Sequence, residues 1–114
     1  MYELLSSPVD YGGLTLKNRI IFSPTTLGVP EDEQVERLAR IAAGGCAMII
    51  IGDVPVGKHG FGPSLFTQKG FAHYQRLIEA IHAHGCKVCA QLHQSDSDLS
   101  AMLKCVPGML THRL

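Results

Sequence analysis

Three short segments of this sequence carry groups that could bind a ligand, and each follows a run of apolar residues. They are Ser23–Thr26, Gly52–Pro55 and Gln91–Gln94. Together they offer hydroxyl groups, backbone left open by glycine, and a carboxamide that both donates and accepts hydrogen bonds. If the apolar runs are parallel strands, these groups meet beyond the carboxyl ends of the strands, where α/β proteins bind ligands. The segments therefore predict a site for a polar ring system; the alternative is that strand ends are polar because they meet water.

Cys86 and Cys89 have the C-x-x-C spacing of metal and redox motifs. Residues three apart on a strand point to opposite faces, so one metal ion could not take both. A redox motif of this kind normally opens a helix, whereas this one opens an apolar run typical of a strand. We therefore predict buried structural thiols.

Motifs that bind nucleotide phosphates are missing from the sequence. Neither G-x-G-x-x-G after a strand nor G-x-x-x-x-G-K-S/T occurs. The glycines at positions 52, 57, 60 and 62 have other spacings and do not lead directly into a helix. Dinucleotide-binding and nucleotide-triphosphatase domains are therefore disfavoured.

Short apolar runs and helical periodicity predict the elements that would position the candidate site. Residues 19–22, 46–51 and 87–92 form short apolar runs typical of strands. Two helices are predicted from apolar residues spaced at i, i+3, i+4 and i+7. Their apolar faces consist of Val35, Leu38, Ala39 and Ala42 in the first helix and Tyr74, Leu77, Ile78 and Ile81 in the second. The β-α-β-α-β order favours right-handed parallel crossovers.

The flanking and connecting segments are predicted as follows. The turn-forming residues of 1–17 indicate an irregular or hairpin-like start, and 52–62 reads as a glycine-rich loop. Residues 93–114 hold no strong strand that could cover the third strand. Since natural sheets avoid open edges, we predict that the chain begins a larger α/β structure and could self-associate through its open sheet edge.

Composition bounds the class of protein. The 114 residues suffice for one domain, 1–114, and the ten basic and ten acidic residues leave no footprint for nucleic acid. The longest apolar run, Ala47–Ile51, is far shorter than a membrane span. The amino terminus has no signal-peptide pattern, and four cysteines without one indicate reduced thiols. A cytoplasmic protein without nucleic-acid or membrane partners is expected.

The strand motifs resemble those of a known family. The string Leu16–Pro24 (LKNRIIFSP) resembles the first-strand signature of the old yellow enzymes, which are flavin-dependent ene-reductases. Ala47–Asp53 is similar to the family's second strand in character and distance, and Cys89–Leu92 resembles its "QL" strand end. The resemblance extends from Tyr2 to about Gln94.

This resemblance implies a (β/α)8 TIM barrel with FMN at its carboxyl-end mouth, of which the chain supplies the first three βα units. The implied flavin contacts are backbone groups of Pro24 and Thr25, a hydrogen bond from Thr26 near flavin O4, backbone of Gly52 or Asp53, and the amide of Gln91 at the polar ring edge. NADH or NADPH would reduce the flavin, which would pass hydride to the activated alkene of a small enone or enoate.

The sequence also departs from the family pattern. After "QL" the family often continues His-Ala-Gly-Arg, whereas this chain has His93–Asp96, and Asp53 stands where Gly or Ala is common. The family's substrate-anchoring histidines, proton-donating tyrosine and phosphate-binding arginine lie later in such proteins. Because a barrel of this type needs about 250 residues, we expect the isolated chain to bind FMN weakly or not at all and to be inactive.

Two alternatives remain open. One is a non-catalytic α/β module that associates with other chains through its open sheet edge. The other is a flavodoxin-like domain, which would bind a phosphate where the first helix begins. The acidic residues 31–33 at that helix start disfavour this alternative, because they would repel the phosphate.

Overall fold

This computed structural model describes residues 2–25, 27–55 and 62–93. They contain two small sheets and three helices. In chain order the elements are α1 (Glu3–Ser6), β1 (Val9–Tyr11), β2 (Leu14–Leu16), β3 (Ile21–Phe22), α2 (Glu31–Ala43), β4 (Met48–Pro55), α3 (Gln68–His82) and β5 (Lys87–His93). The mixed α/β class and the predicted β-α-β-α-β order of the last five elements are therefore confirmed.

The amino-terminal hairpin forms because its turn holds two glycines. Gly12 and Gly13 have φ angles of +58° and +86°, which a two-residue type I′ turn requires at both positions. Strands β1 and β2 pair antiparallel around them. The single-turn helix α1 was not predicted, since it contains no buried residue and so has no apolar periodicity.

Side chains that follow the hairpin tie it to the rest of the structure. Lys17 Nζ donates to the carbonyl of His84 at 3.1 Å, and Asn18 Nδ2 donates to that of Gly45 at 2.7 Å. Both acceptors lie just beyond the carboxyl end of a helix, where backbone carbonyls lack helical partners. These bonds hold the hairpin at the end of the main sheet where β4 and β5 begin.

The main sheet is parallel, with β4 between β3 and β5. Strand β3 is shorter than predicted, with two residues. Strand β4 is longer than predicted, because it continues through Gly52 to Pro55, where a loop was expected. Its pairing with β5 shifts between Ile51 and Val54, so the segment remains in the sheet by means of an irregularity.

Helices α2 and α3 cover one face of this sheet and create the core there. Ile49, Leu77 and Ile81 have no solvent exposure. Among the residues predicted to face the core, Leu38, Ala42, Tyr74, Leu77 and Ile81 are buried, and Val35, Ala39 and Ile78 are half-buried. Neither these helices nor α1 combines the length and apolar character needed to cross a bilayer.

Helix α3 begins six residues before the start of its predicted apolar pattern, at Gln68. Its amino terminus is capped by Thr67 Oγ1, which accepts a hydrogen bond from Gly70 N at 3.0 Å. Gly70 is required at this point, since a Cβ there would lie 2.1 Å from the carbonyl oxygen of Ser64. The segment at Ser64 therefore packs directly on the first turn of α3.

Candidate functional site

The carboxyl ends of the three parallel strands meet around Gly52. A Cβ on Gly52 would lie 3.2 Å from Pro24 Cβ, 3.3 Å from Thr25 N and 3.6 Å from Gln91 Oε1. Four predicted site residues that are far apart in sequence are thus brought together. We refer to Pro24, Thr25, Gly52 and Gln91 as the strand-end cluster.

Glycine at position 52 permits this close approach. Contacts of 3.2 and 3.3 Å are tighter than about nine in ten contacts that real Cβ atoms make, so Pro24 and Thr25 would have to shift by a few tenths of an ångström to admit a side chain. The missing Cβ also leaves the backbone of β4 accessible from the side of the Gln91 amide, which is itself exposed. A planar ligand could lie against such a surface and form hydrogen bonds at its edge.

Asp53 lies next to the cluster in a β-bulge. Ile51 pairs with Ala90 and Val54 pairs with Leu92, so Gly52 and Asp53 together oppose only Gln91. Asp53 adopts a φ of +53°, which is uncommon for a residue with a side chain, although aspartate tolerates it better than most. The bulge explains why the strand continues past the glycine, and it displays the backbone at the strand end.

The electrostatic surroundings of Asp53 include a buried tyrosine of α3. Burial raises the pKa of Tyr74, and the negative charges of Asp53 and Glu31 raise it further. The Tyr74 hydroxyl donates to the Pro63 carbonyl at 3.1 Å. Tyr74 therefore remains protonated at neutral pH and fastens the segment before α3 to the helix.

The strand-end cluster can bind and orient a ligand, but it has no group that titrates near neutral pH. It offers an amide side chain, a backbone N–H and an apolar proline surface. Thr26, the remaining predicted contact, lies outside the described residues, as does the segment 94–114 with Cys105. The four residues of the cluster thus offer hydrogen-bonding groups and an apolar surface, but no acid or base for proton transfer.

A buried histidine between the two helices was not predicted from the sequence. His73 on α3 is 1% exposed, and its Nε2 lies 2.9 Å from Oε1 of Gln34 on α2. Its Nδ1 makes no hydrogen bond and lies 3.9 Å from Glu31 Oε2. Burial lowers the pKa of His73, and the nearby Glu31 opposes this shift. The available signal was position, since His73 lies one turn before Leu77 on the core-facing side of α3.

The cysteines differ from the prediction in one respect. Cys46 and Cys86 are buried, with sulfur atoms 3.7 Å apart, and burial raises the pKa of Cys86 to about 12. Cys89, however, is exposed, so the prediction of a buried thiol was wrong there. The reason is that Cys89 lies on the sheet face that the two helices do not cover. Within the described ranges, no group of three or more His, Cys, Asp or Glu residues is arranged to hold a metal ion.

Comparisons with known proteins agree with the strand motifs. The sequence profile of the NADH:flavin oxidoreductase / NADH oxidase family matches residues 4–105. A bilirubin reductase of Clostridium symbiosum is 56% identical over 115 aligned residues, which are all of this chain and 31% of that protein. The chain thus spans about a third of the length of this relative.

Two solved structures share the fold of the described region. A variant of NCR from Zymomonas mobilis has a TM-score of 0.66 and 26% identity, covering 78% of this chain and 32% of that one. A morphinone reductase variant in complex with tetrahydroNAD has a TM-score of 0.65 and 27% identity, covering 77% and 26%. The profile match, the relative at 56% identity and these structures together show that the chain belongs to the NADH:flavin oxidoreductase / NADH oxidase family, to which the old yellow enzymes belong.

Proposed function

We propose that this chain forms the opening part of an FMN-dependent oxidoreductase and contributes one side of its flavin site. The observation that carries the proposal is the meeting of Pro24, Thr25, Gly52 and Gln91 at neighbouring strand ends. The family resemblance implies that the flavin lies at that edge of the sheet, against these residues. The full architecture would be a (β/α)8 barrel, of which the three parallel strands and two helices are the first units.

The residues present fit the flavin ring system. The Gly52 backbone and the neighbouring Thr25 N–H can approach a flat ring, because no Cβ intervenes. The Gln91 amide can both donate and accept at the polar edge of the ring. Thr26 near flavin O4 and the backbone of Asp53 complete the proposed contacts.

When bound, FMN would supply hydride transfer, with NADH or NADPH as the reductant. The proposed substrate is an activated alkene in a small molecule such as an enone or enoate. Bilirubin, which the name of the Clostridium symbiosum relative gives as that protein's substrate, is the first compound to test. Since the strand-end cluster offers no acid for proton transfer, we propose that the isolated chain has no turnover.

A chimera tests this proposal. This chain would replace the segment that it matches in the Clostridium symbiosum bilirubin reductase, which is 31% of that protein and is 56% identical. We expect the purified chimera to contain FMN and to reduce bilirubin with NADH or NADPH. The flavin absorbance spectrum gives the occupancy, and the loss of bilirubin absorbance gives the rate.

Variants of the chimera connect the result to the cluster. Gln91→Ala and Gly52→Val should lower FMN occupancy, whereas Gln75→Ala on the exposed side of α3 should leave it unchanged. A folded chimera without flavin would contradict the proposal. So would undiminished FMN occupancy in both cluster variants. The isolated 114-residue chain, examined by absorbance and gel filtration, should be colourless.

A further inference from the structure

Two buried cysteines lie side by side at the end of the main sheet where β4 and β5 begin. Cys46 precedes β4 and Cys86 precedes β5, and their sulfur atoms are 3.7 Å apart. Cys46 is 6% exposed and Cys86 is 2% exposed. They are 40 positions apart in the sequence, so only the folded sheet brings the two thiols together. We refer to Cys46 and Cys86 as the thiol pair.

The backbone around the thiol pair has the spacing that a disulfide requires. Lys87 N donates to the carbonyl of Ala47 at 2.8 Å, so the residues that directly follow the two cysteines are hydrogen-bonded to each other. Neighbouring strands lie about 4.8 Å apart, and disulfides join Cα atoms about 4.4–6.8 Å apart. The sulfur atoms have to approach from 3.7 Å to about 2.05 Å, and rotation of the two side chains can supply this while the strands stay paired.

Weak hydrogen bonds hold the two sulfur atoms in their reduced positions. Cys46 Sγ donates to the carbonyl of Ile41 at 3.6 Å, and Cys86 Sγ donates to that of Lys87 at 3.5 Å. Thiols are weak donors, so little is lost when their protons leave. The Ile41 carbonyl also accepts a hydrogen bond from Gly44 N at 3.1 Å and so keeps a partner. The surroundings of the thiol pair therefore offer little resistance to oxidation.

We propose that the thiol pair is a reversible oxidation site, at which hydrogen peroxide converts Cys46 and Cys86 into an intramolecular disulfide. Cys46, the more exposed of the two, attacks the peroxide: an S–O bond forms, the O–O bond breaks, water leaves and the sulfur becomes a sulfenic acid. The Cys86 sulfur then attacks the Cys46 sulfur, so that an S–S bond forms, the S–O bond breaks and a second water leaves. The thiols lose two electrons and two protons, and the peroxide is reduced to two water molecules.

The protonation of Cys86 suits it to the second of these steps. Burial and the hydrogen bond with Cys46 raise the pKa of Cys86 to about 12, although the Lys17 ammonium opposes the shift. Such a thiol reacts slowly with peroxide from the solvent, because the thiolate is the nucleophile. A sulfenic acid on Cys46 would instead lie beside it, and proximity of this kind greatly accelerates an attack. Cys86 is therefore the resolving thiol.

The disulfide would join the starts of β4 and β5 and close a loop that contains β4 and α3. A cross-link of this kind stabilises the folded state, since it reduces the conformational freedom of the unfolded chain. The strand-end cluster lies at the opposite ends of these strands, around Gly52 and Gln91, so the link should leave the cluster unchanged. The inference goes beyond the proposed function and does not depend on the flavin site.

Peroxide treatment of the folded 114-residue chain tests the inference. The remaining thiols are then alkylated in denaturant, and the chain is digested with trypsin. Each of the four cysteines falls in a different peptide, because cleavage follows Arg40, Lys58, Arg76, Lys87 and Lys104. We expect mass spectrometry to find peptides 41–58 and 77–87 joined by a disulfide, and to find them separate again after reduction with dithiothreitol.

Variants connect the disulfide to stability. Oxidation should raise the Tm of the parent by about 5 °C or more, and dithiothreitol should reverse the gain. Cys86→Ala should abolish both the link and the gain, and Cys46→Ala provides an independent second test. The matched control Cys89→Ala, at the exposed cysteine of β5, should keep both. Far-ultraviolet circular dichroism before oxidation shows that each variant is folded.

Three results would overturn the inference. The first is a thiol pair that stays reduced at a peroxide concentration that fully oxidises Cys89. The second is a link that forms only after the chain has been unfolded in urea. The third is an oxidised Cys86→Ala variant that gains as much in Tm as the parent does.

FMN content of the chimera separates this inference from the proposed function. A chimera that forms the Cys46–Cys86 link but holds no FMN would support the oxidation site and contradict the flavin proposal. A chimera that holds FMN but keeps the thiol pair reduced in peroxide would support the flavin proposal and overturn the oxidation site.

Discussion

Ile49 and Ile50 are neighbours in β4 and have identical side chains, but they lie on opposite faces of the sheet. Ile49 is fully buried beneath α2 and α3, whereas Ile50 is half-buried on the opposite face, which we call the inner face and which borders a cavity together with the hairpin β1–β2. The covered face is a finished core that includes Leu77 and Ile81. The inner face is equally apolar at Met48 and Ile50, yet among the described residues it stays partly exposed. An apolar run therefore shows that a residue is suited to burial, but it does not show which polypeptide buries it.

The largest expected effect comes from truncating one isoleucine on each face. Ile49→Ala should lower the free energy of unfolding by about 3 kcal/mol, because it removes buried methyl groups and leaves a cavity. Ile50→Ala should lower it by about 1 kcal/mol or less, because that side chain is only partly removed from water. Urea denaturation of both variants measures the two values. Equal losses would show that the inner face is covered in solution.

The covered face can also be disrupted from outside the sheet. Gly70→Ala should lower the free energy of unfolding by about 2 kcal/mol, because the new Cβ would lie 2.1 Å from Ser64 O and must displace that backbone. Helix propensity alone predicts a gain of about 1 kcal/mol for the same change.

The control for this prediction is Ala72→Gly, on the exposed side of α3. It should cost about 1 kcal/mol through propensity only. Thermal or urea unfolding of both variants decides between packing and propensity. A stabilised Gly70→Ala protein would mean that the segment at Ser64 does not pack on α3 as described.

A smaller effect should appear as a pH dependence of the covered face. Burial lowers the pKa of His73 below 6.5, so the folded state prefers the neutral ring more strongly than the unfolded state does. Stability from this group is therefore present above about pH 6.5 and is lost as the pH falls through the folded pKa. Four charged neighbours modulate the shift: Glu31 and Asp32 on α2, and Lys69 and Arg76 on α3.

Urea midpoints between pH 7.5 and 5 test this expectation. His73→Gln should flatten the decline, while His82→Gln, at an exposed position of the same helix, should not. A parent protein whose stability rises as the pH falls over this interval would show that the attraction of Glu31 outweighs burial.

The last prediction concerns thiol reactivity, which should differ between Cys86 and Cys89 while alkylation of the exposed thiol changes stability least. Cys86 is buried and has its pKa raised to about 12, so its thiolate is scarce at neutral pH. Cys89 is exposed on the inner face and should react with iodoacetamide first. Peptide mass spectrometry assigns the labelled residues. Equal labelling of Cys86 and Cys89 would contradict the described burial of Cys86.

The candidate site was predicted from residue types at strand ends, and the parallel sheet brought Pro24, Thr25, Gly52 and Gln91 together as expected. The details of the bulge were not predictable. Gly52 and Asp53 read as the start of a loop, because glycine and aspartate favour turns locally. Only pairing with β5 on the far side of the bulge keeps Val54 and Pro55 in the strand.

His73 shows a second limit. A histidine in a helical pattern reads as a polar, solvated residue, whereas His73 is buried and its Nε2 pairs with Gln34 of another helix. Gly70 is a similar case. A side chain at this position would collide with the backbone carbonyl of Ser64, six residues earlier in the chain. In both cases the deciding partner belongs to a different element, so no local pattern contains it.

By itself the sequence determined the features that depend on neighbours along the chain. These are the hairpin at Gly12 and Gly13, the helix over Glu31–Ala43, the alternation of strands with helices and the strand motifs of the family. The tertiary structure decided which face of β4 forms a core, how closely Pro24 and Thr25 approach Gly52, and how the exposure of Cys89 differs from that of Cys86. The physical reason is that periodicity and turn chemistry act over a few residues, whereas burial and close approach depend on segments that meet only when the chain folds.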